Sequence, residues 1–243
     1  MNDLPPDRAW RELHQSACAP YQRAGRFAWH FARGKLGRDP VFRALLERGD
    51  LPPDARVVDI GCGQGLLASL LVASSAASAS GRWPTPWPTG PVGASYVGIE
   101  LMPRDVERAR SAFGQLPDGP RFVCGDMRSA ELPSCDVVVI LDVLHYVDHA
   151  AQEALLARVR DALSPRGRLL LRVGDVGRRG GFVISQVVDR IVAMLRSPRV
   201  PSSFGRPLAD WTTLLERFGF VVEAVPMSRG TPFANVLLVG DKA

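Results

Sequence analysis

"VVDIGCGQGLLASLL", residues 57–71, changes character twice in a short span. Val57, Val58 and Ile60 are β-branched and suit a strand. Gly61, Gly63 and Gly65 then fall at alternate positions, and from Leu66 onward leucine and alanine favour a helix. Three glycines between a strand and a helix bring backbone N–H groups and a helix N-terminus against a ligand, with no Cβ in the way. The segment Gly63–Ala68 satisfies the permissive dinucleotide pattern G-x-G-x-x-A. That pattern alone is a weak signal.

Working outward, strands and helices alternate. "SYVGIE" at 95–100, "RFVCGD" at 121–126, "CDVVVILD" at 135–142 and "RLLLRVGD" at 168–175 read as strands. The third of these is apolar on both faces, as a central parallel strand is. "RDVERARSAF" and "HAAQEALLARVRDAL" (149–163) read as the helices between them. The tail differs. "FVVEAVPM" and "ANVLLVGD" are joined only by "SRGTPF", which permits a hairpin but no parallel crossover. These elements predict an α/β fold: a doubly wound, mostly parallel seven-stranded sheet of Rossmann-like type with a terminal antiparallel hairpin. Residues 1–52, with two or three short helices ended by "DLPPD", predict a helical N-terminal cap on a domain spanning 53–243. A Ser/Pro/Trp-rich insertion at about 74–94 predicts an extended first helix and then a flexible loop, whose Trp83 and Trp87 are candidate contacts. A lid helix region is expected at about 176–206.

Ligands in such sheets sit at the carboxyl ends of the strands, where the winding reverses. The frame of the glycine turn then matters. Asp59 ends the strand before Gly61, and a carboxylate there would repel a pyrophosphate. A ligand with an ammonium group and no phosphate would be attracted instead. S-adenosylmethionine, a zwitterionic amino acid joined through a sulfonium to adenosine, meets that description.

With these residues quoted, the chain from about residue 56 onward resembles the class I S-adenosylmethionine-dependent methyltransferases of small-molecule type. "VVDIGCGQG", "YVGIEL", "FVCGDM", "VVVILDVLHYV" and "LSPRGRLLLRV" match that family's motifs in order. The resemblance implies cofactor-binding roles for Asp59, Gly61, Cys62, Gly63 and Gly65. It implies that Glu100, beside Leu101, accepts hydrogen bonds from both ribose hydroxyls. It places Asp126 on the adenine amino group, Met127 along the ring, and Leu141 and Asp142 at the mouth. Glu100 follows Gly65 by 35 positions, against about 20 in the dinucleotide pattern. The insertion accounts for the excess, since long loops close at little entropic cost.

Methyl transfer needs a base only where the acceptor must lose a proton. His145, just past Asp142, is the candidate base, or else a pocket wall. His30 in the cap, with Arg178 and Arg179 on the glycine-flanked "GDVGRRGG", are candidate substrate or lid residues. The cofactor implied is S-adenosyl-L-methionine, with S-adenosyl-L-homocysteine as product and no metal.

The chain has 243 residues and a net charge of +5. Its positive charge sits in two segments: seven basic side chains against two acidic in 20–48, and nine against two in 163–206. That distribution favours a small anionic acceptor, or an acyl group on an acidic acyl carrier protein, with the new bond to oxygen or carbon. Nucleic acid is the alternative raised by the pI of about 9.4. The absence of "[DN]PP[YF]" after the fourth strand and the scarcity of lysine argue against it. A non-catalytic scaffold of the same fold is the third reading. The oligomeric state is not legible. The four cysteines, Cys18, Cys62, Cys124 and Cys135, lack metal-ligand spacing and read as buried, reduced thiols. No apolar run reaches the roughly 20 residues of a membrane span, the Phe182–Leu195 stretch being broken by Asp189 and Arg190, and no secretion signal is evident. A cytoplasmic protein is expected.

Overall fold

The computed structural model describes residues 5–114, 119–174, 204–228 and 235–243. Seven strands form one sheet: β1 (Arg56–Ile60), β2 (Ser95–Glu100), β3 (Arg121–Cys124), β4 (Cys135–Leu141), β5 (Leu163–Gly174), β6 (Phe220–Pro226) and β7 (Asn235–Lys242). Their order is β3-β2-β1-β4-β5-β7-β6. The first five are parallel, and β7 runs antiparallel between β5 and β6. The winding reverses between β1 and β4, so a crevice opens at the carboxyl end of β1, where the glycine turn begins.

β1 alternates about the sheet. Val57 packs with the N-terminal helices on one face, and Val58 and Ile60 pack with the later helices on the other. The first face carries α1 (Pro6–Cys18), α2 (Arg26–Arg38), α3 (Pro40–Glu47), α4 (Leu66–Ala79) and α5 (Pro103–Phe113). Leu13, Leu36, Phe42 and Leu45 of the N-terminal helices share one apolar cluster with Leu67, Leu70 and Tyr96. These helices therefore form one layer of the domain core and have no separate core of their own. The second face carries α6 (His149–Ala162) and α7 (Leu208–Arg217), the latter burying Trp211 and Leu215 against Val138 and Leu171.

Several expectations are revised. β5 starts at Leu163, ahead of the expected Arg168, and its register with β4 shifts between Cys135 and Val137, next to the left-handed Arg166 (φ +67°). Cys124 is exposed, because β3 is an edge strand; the other three thiols are buried, and none of the four is in a disulfide. After α4 the insertion packs down. Trp87 is buried, edge-on to Trp83 with ring centroids 5.4 Å apart, and the Trp83 indole N–H donates to the Pro88 carbonyl. Asp54 N–H donates to Val92 O, which puts this loop at the amino ends of β1 and β2. α4 starts at the carboxyl end of β1 and leads back, so the two tryptophans lie at the opposite end of the sheet from the glycine turn. The region around 176–206, with Arg178 and Arg179, lies almost wholly outside the described residues. No described helix is long and apolar enough to cross a membrane.

Candidate active site

The glycine turn is held by packing. Gly61 N–H donates to Ile99 O at 2.8 Å and Gly65 N–H to Cys62 O at 3.0 Å. A Cβ on Gly61 (φ +77°) would come within 2.6 Å of Val143, and one on Gly65 (φ +78°) within 2.6 Å of Phe122. Those two glycines admit Val143, just past β4, and Phe122 of β3. A Cβ on Gly63 would meet nothing within 4 Å. Its bare backbone faces open space, where a ligand can approach closely.

Glu100 ends β2, and its carboxylate accepts from Gly63 N–H at 3.0 Å and from Met102 N–H at 2.8 Å. Burial raises its pKa, and the two backbone donors oppose the rise. A carboxylate offers about four lone-pair sites, so acceptor capacity remains for two hydroxyls. Gly125 N–H donates to Glu100 O, joining the β3 tip to this corner. Leu101 is exposed beside it. Asp126 holds Arg128 through Nε at 2.9 Å, and that guanidinium keeps its pKa low. Its carboxylate thus has a resident partner, Arg128, at the position where the resemblance implies the adenine amino group. Met127 is partly buried against the second apolar cluster.

Asp59 sits beneath the turn, 4% exposed. The Tyr96 hydroxyl donates to its Oδ2 at 2.6 Å. Burial pushes its pKa up to about 7; the Tyr96 hydrogen bond opposes this, and the charge of Glu100 adds to it. Cys62 is packed beside it over Gly98, where a Cβ would come 2.6 Å from the sulfur.

Leu141 is the last residue of β4, and Asp142 follows in a left-handed conformation (φ +60°) that non-glycine residues rarely adopt. Arg172 of β5, 1% exposed, explains how it is held. Its Nε donates to Asp142 Oδ1 at 2.8 Å and its Nη2 to Asp39 Oδ2 at 2.7 Å. Lys35 completes the cluster, 2.8 Å from Asp39 and 3.6 Å from Asp142. Despite burial, Arg172 and Lys35 hold the Asp39 pKa down to about 2.

The sequence reading missed this cluster and a second tie between the N-terminal helices and the turn. The Tyr21 hydroxyl donates to Gln64 O at 3.0 Å, and buried Gln64 donates from Nε2 to Ala28 O at 2.8 Å. A buried arginine inside the apolar run "RLLLRV" was the available signal for the first tie. Nothing local marked the second.

His145 lies on a single 3₁₀ turn, Leu144–Tyr146. Its Nε2 is buried without a hydrogen-bond partner among the described residues, and burial lowers its pKa against the opposing charge of Asp142. Fully buried Gln152 fixes this turn, donating to the carbonyls of Leu144, Val147 and Phe204 at 2.8–3.2 Å. His30 is exposed on α2, 4.8 Å from the Trp29 ring. No cluster of His, Cys, Asp and Glu able to hold a metal occurs among the described residues.

A seven-stranded sheet with this order, a glycine turn at its switch point and an acid ending β2 define an α/β protein of methyltransferase architecture. The methyltransferase domain family model matches residues 28–225, and the chain belongs to that family. The chain is 31% identical over 205 residues to acetylserotonin O-methyltransferase of Mus musculus, covering 82% of this chain and 48% of that protein. It is 41% identical over 82 residues to the tetracenomycin polyketide synthesis 8-O-methyltransferase of Streptomyces glaucescens, covering 33% and 24%. The chain thus spans about half the length of the first relative. Among solved structures, magnesium protoporphyrin IX methyltransferase of Synechocystis with bound S-adenosylhomocysteine superposes with a TM-score of 0.59 at 19% identity, covering 96% of this chain and 97% of that one. Human N-acetylserotonin methyltransferase in complex with S-adenosylmethionine gives 0.59 at 20% identity, covering 99% and 60%.

Proposed function

We propose that this chain is an S-adenosylmethionine-dependent methyltransferase that methylates an oxygen of a small organic acceptor in biosynthesis. The observation that carries the reading is Glu100 at the β2 tip, fixed by Gly63 N–H with lone pairs to spare, above a glycine with nothing where its Cβ would be. Those features fit a ribose and an amino acid laid along the turn. The relatives' names, two of them O-methyltransferases, favour oxygen as the acceptor atom.

Bound in this crevice, S-adenosylmethionine would supply a methyl group already activated on a sulfonium. The protein's part is then orientation and dryness. Glu100 would hold the ribose hydroxyls, and the Gly61–Gly65 backbone would face the amino acid. Leu101, Met127 and Leu141 offer apolar surface, and Asp142 borders the mouth. As the acceptor oxygen forms its bond to carbon, its proton needs a base. His145 Nε2 is buried and unpartnered, and its lowered pKa leaves it neutral at physiological pH.

Calorimetry with S-adenosylmethionine and S-adenosylhomocysteine tests the reading, followed by methyl incorporation into a panel of phenols, hydroxy acids and acyl thioesters. Saturable binding of both with turnover on a hydroxylated acceptor is expected. Absence of binding to either compound refutes the proposal.

A further inference from the structure

α2 carries side chains on the side away from its buried Ala28, Ala32 and Leu36 that the machinery above does not use. Phe27 and Phe31 are 56% and 40% exposed, although large apolar groups ordinarily gain by burial. Their rings lie 6.2 Å apart and within 11° of parallel, a stacked pair that makes one apolar step on the helix. Gly34 and Arg38 continue the row, since positions 27, 31, 34 and 38 fall on one helical stripe. A Cβ on Gly34 would enter open space, leaving a notch. Arg38 is exposed and has no acidic partner among the described residues.

Three contacts place α2 across the crevice, with this stripe on the adjoining face. Ala28 O, on the neighbouring face, receives Gln64 Nε2 from the glycine turn. At one end Arg108 lies 4.4 Å above the Phe27 ring and pairs with Asp105, in the first turn of α5 just after Glu100. Towards the other end Lys35 reaches Asp142 at the tip of β4. α2 therefore bridges from the β2 side of the crevice to the β4 side, carrying the stripe with it. The stripe's order is apolar, apolar, notch, cation.

We propose that Phe27, Phe31, Gly34 and Arg38 form the acceptor-binding wall, and that the acceptor is a planar aromatic compound with an acidic group at one end. This inference rests on the methyltransferase reading and names the substrate class for that same site. The aromatic body lies on the phenyl step and fills the notch, and the acid pairs with Arg38. From Phe31 to Arg38 the helix advances ~10 Å, the length of a molecule with two or three fused rings. Paired aromatic faces and an unpaired guanidinium complement such a ligand.

The test uses the protein loaded with S-adenosylhomocysteine and follows, by ligand fluorescence, the binding of a hydroxynaphthoate and of its neutral naphthol counterpart. Saturable binding with preference for the acid is expected. Phe27→Ala/Phe31→Ala should weaken hydroxynaphthoate binding by roughly tenfold or more. Gly34→Leu should do the same while keeping or raising the melting temperature, because leucine is the better helix former and its side chain enters open space. Arg38→Gln should abolish the preference for the acid. Affinity for S-adenosylhomocysteine should be unchanged in all three variants. The proposal is overturned if the loaded protein binds neither compound, or if the variants bind as the parent does. It is also overturned if sedimentation shows a dimer that the double alanine variant dissociates, which would make the stripe a contact between copies. Loss of S-adenosylhomocysteine binding by the parent chain would instead defeat the methyltransferase reading itself.

Discussion

Replacing Asp59 by asparagine removes a charge from beneath the glycine turn while keeping an oxygen for the Tyr96 hydroxyl. The carboxyl titrates at 3.8 in an exposed peptide and at about 7 in the folded protein, chiefly because it is cut off from water. A displacement of that size corresponds to at most ~4 kcal/mol, at ~1.4 kcal/mol per pH unit. Relaxation around the charge reduces this, so a difference of roughly 1–4 kcal/mol is expected. The sign follows from proton binding. Below 3.8 the group is protonated in both folded and unfolded chains. Between 3.8 and about 7 the unfolded chain has released the proton and the folded chain has kept it, so stability falls as pH rises across that interval. The amide of the Asp59→Asn variant does not titrate and has no such dependence. Urea denaturation of the ligand-free protein from about pH 5 to 8.5 should therefore show Asp59→Asn as the more stable protein at alkaline pH, with the gap closing on acidification. A variant less stable than the parent at alkaline pH, or a gap independent of pH, would refute the account of Asp59 as a poorly solvated acid.

Glu100→Ala should lower affinity for S-adenosylmethionine by roughly 1–3 kcal/mol, the range for hydrogen bonds to a charged group, as measured by calorimetry. Arg172→Met leaves Asp39 and Asp142 without their buried cation and should destabilise the fold by about 3–5 kcal/mol at neutral pH. Asp39 has its pKa depressed, so its stabilising share is present above 3.8 and fades as pH falls towards about 2. The Arg172→Met penalty in denaturation experiments should accordingly shrink at acid pH. His145→Asn should leave cofactor affinity within about twofold and depress turnover. The acidic limb of the kcat profile, lying below the ordinary histidine value because burial lowers that pKa, should vanish with it; an unchanged profile would assign His145 to the pocket wall.

The sheet was legible because its signals are local. β-branched runs, a glycine turn and a tail connection too short for a crossover determine the element types without knowledge of any partner. The Glu100 position was legible for the same reason, being the last residue of a readable strand. What escaped depends on pairs distant in sequence. Asp126 is legible as an acid at a strand tip, but not the Arg128 guanidinium folded back onto it. Asp59 reads as an open anion, and only Tyr96, on the neighbouring strand, reveals it as a buried one. Trp83 and Trp87 suggested a contact surface because composition does not say at which end of the sheet a loop lies. α7 was overlooked, although Leu208, Trp211, Leu214 and Leu215 have helical spacing behind Pro207. Its signal lay between a segment read as a lid and a hairpin.

The ties between the N-terminal helices and the sheet make the crevice and its roof one energetic unit. Gln64 is buried in the turn, and its amide donates to Ala28 O of α2. Arg172 is buried in β5 and divides its guanidinium between Asp142 at the mouth and Asp39 at the start of α3. Removing the helices would take away the acceptor of that amide and one of the two carboxylates of that guanidinium, each at a cost of the order of kcal/mol. The left-handed Asp142 depends on the same guanidinium. Any movement of α2 that widens the crevice for an acceptor must therefore strain the Gln64 amide or the Lys35–Asp142 pair. The roof can breathe only by amounts those bonds tolerate, and acceptor selection falls to the fixed side chains that α2 presents.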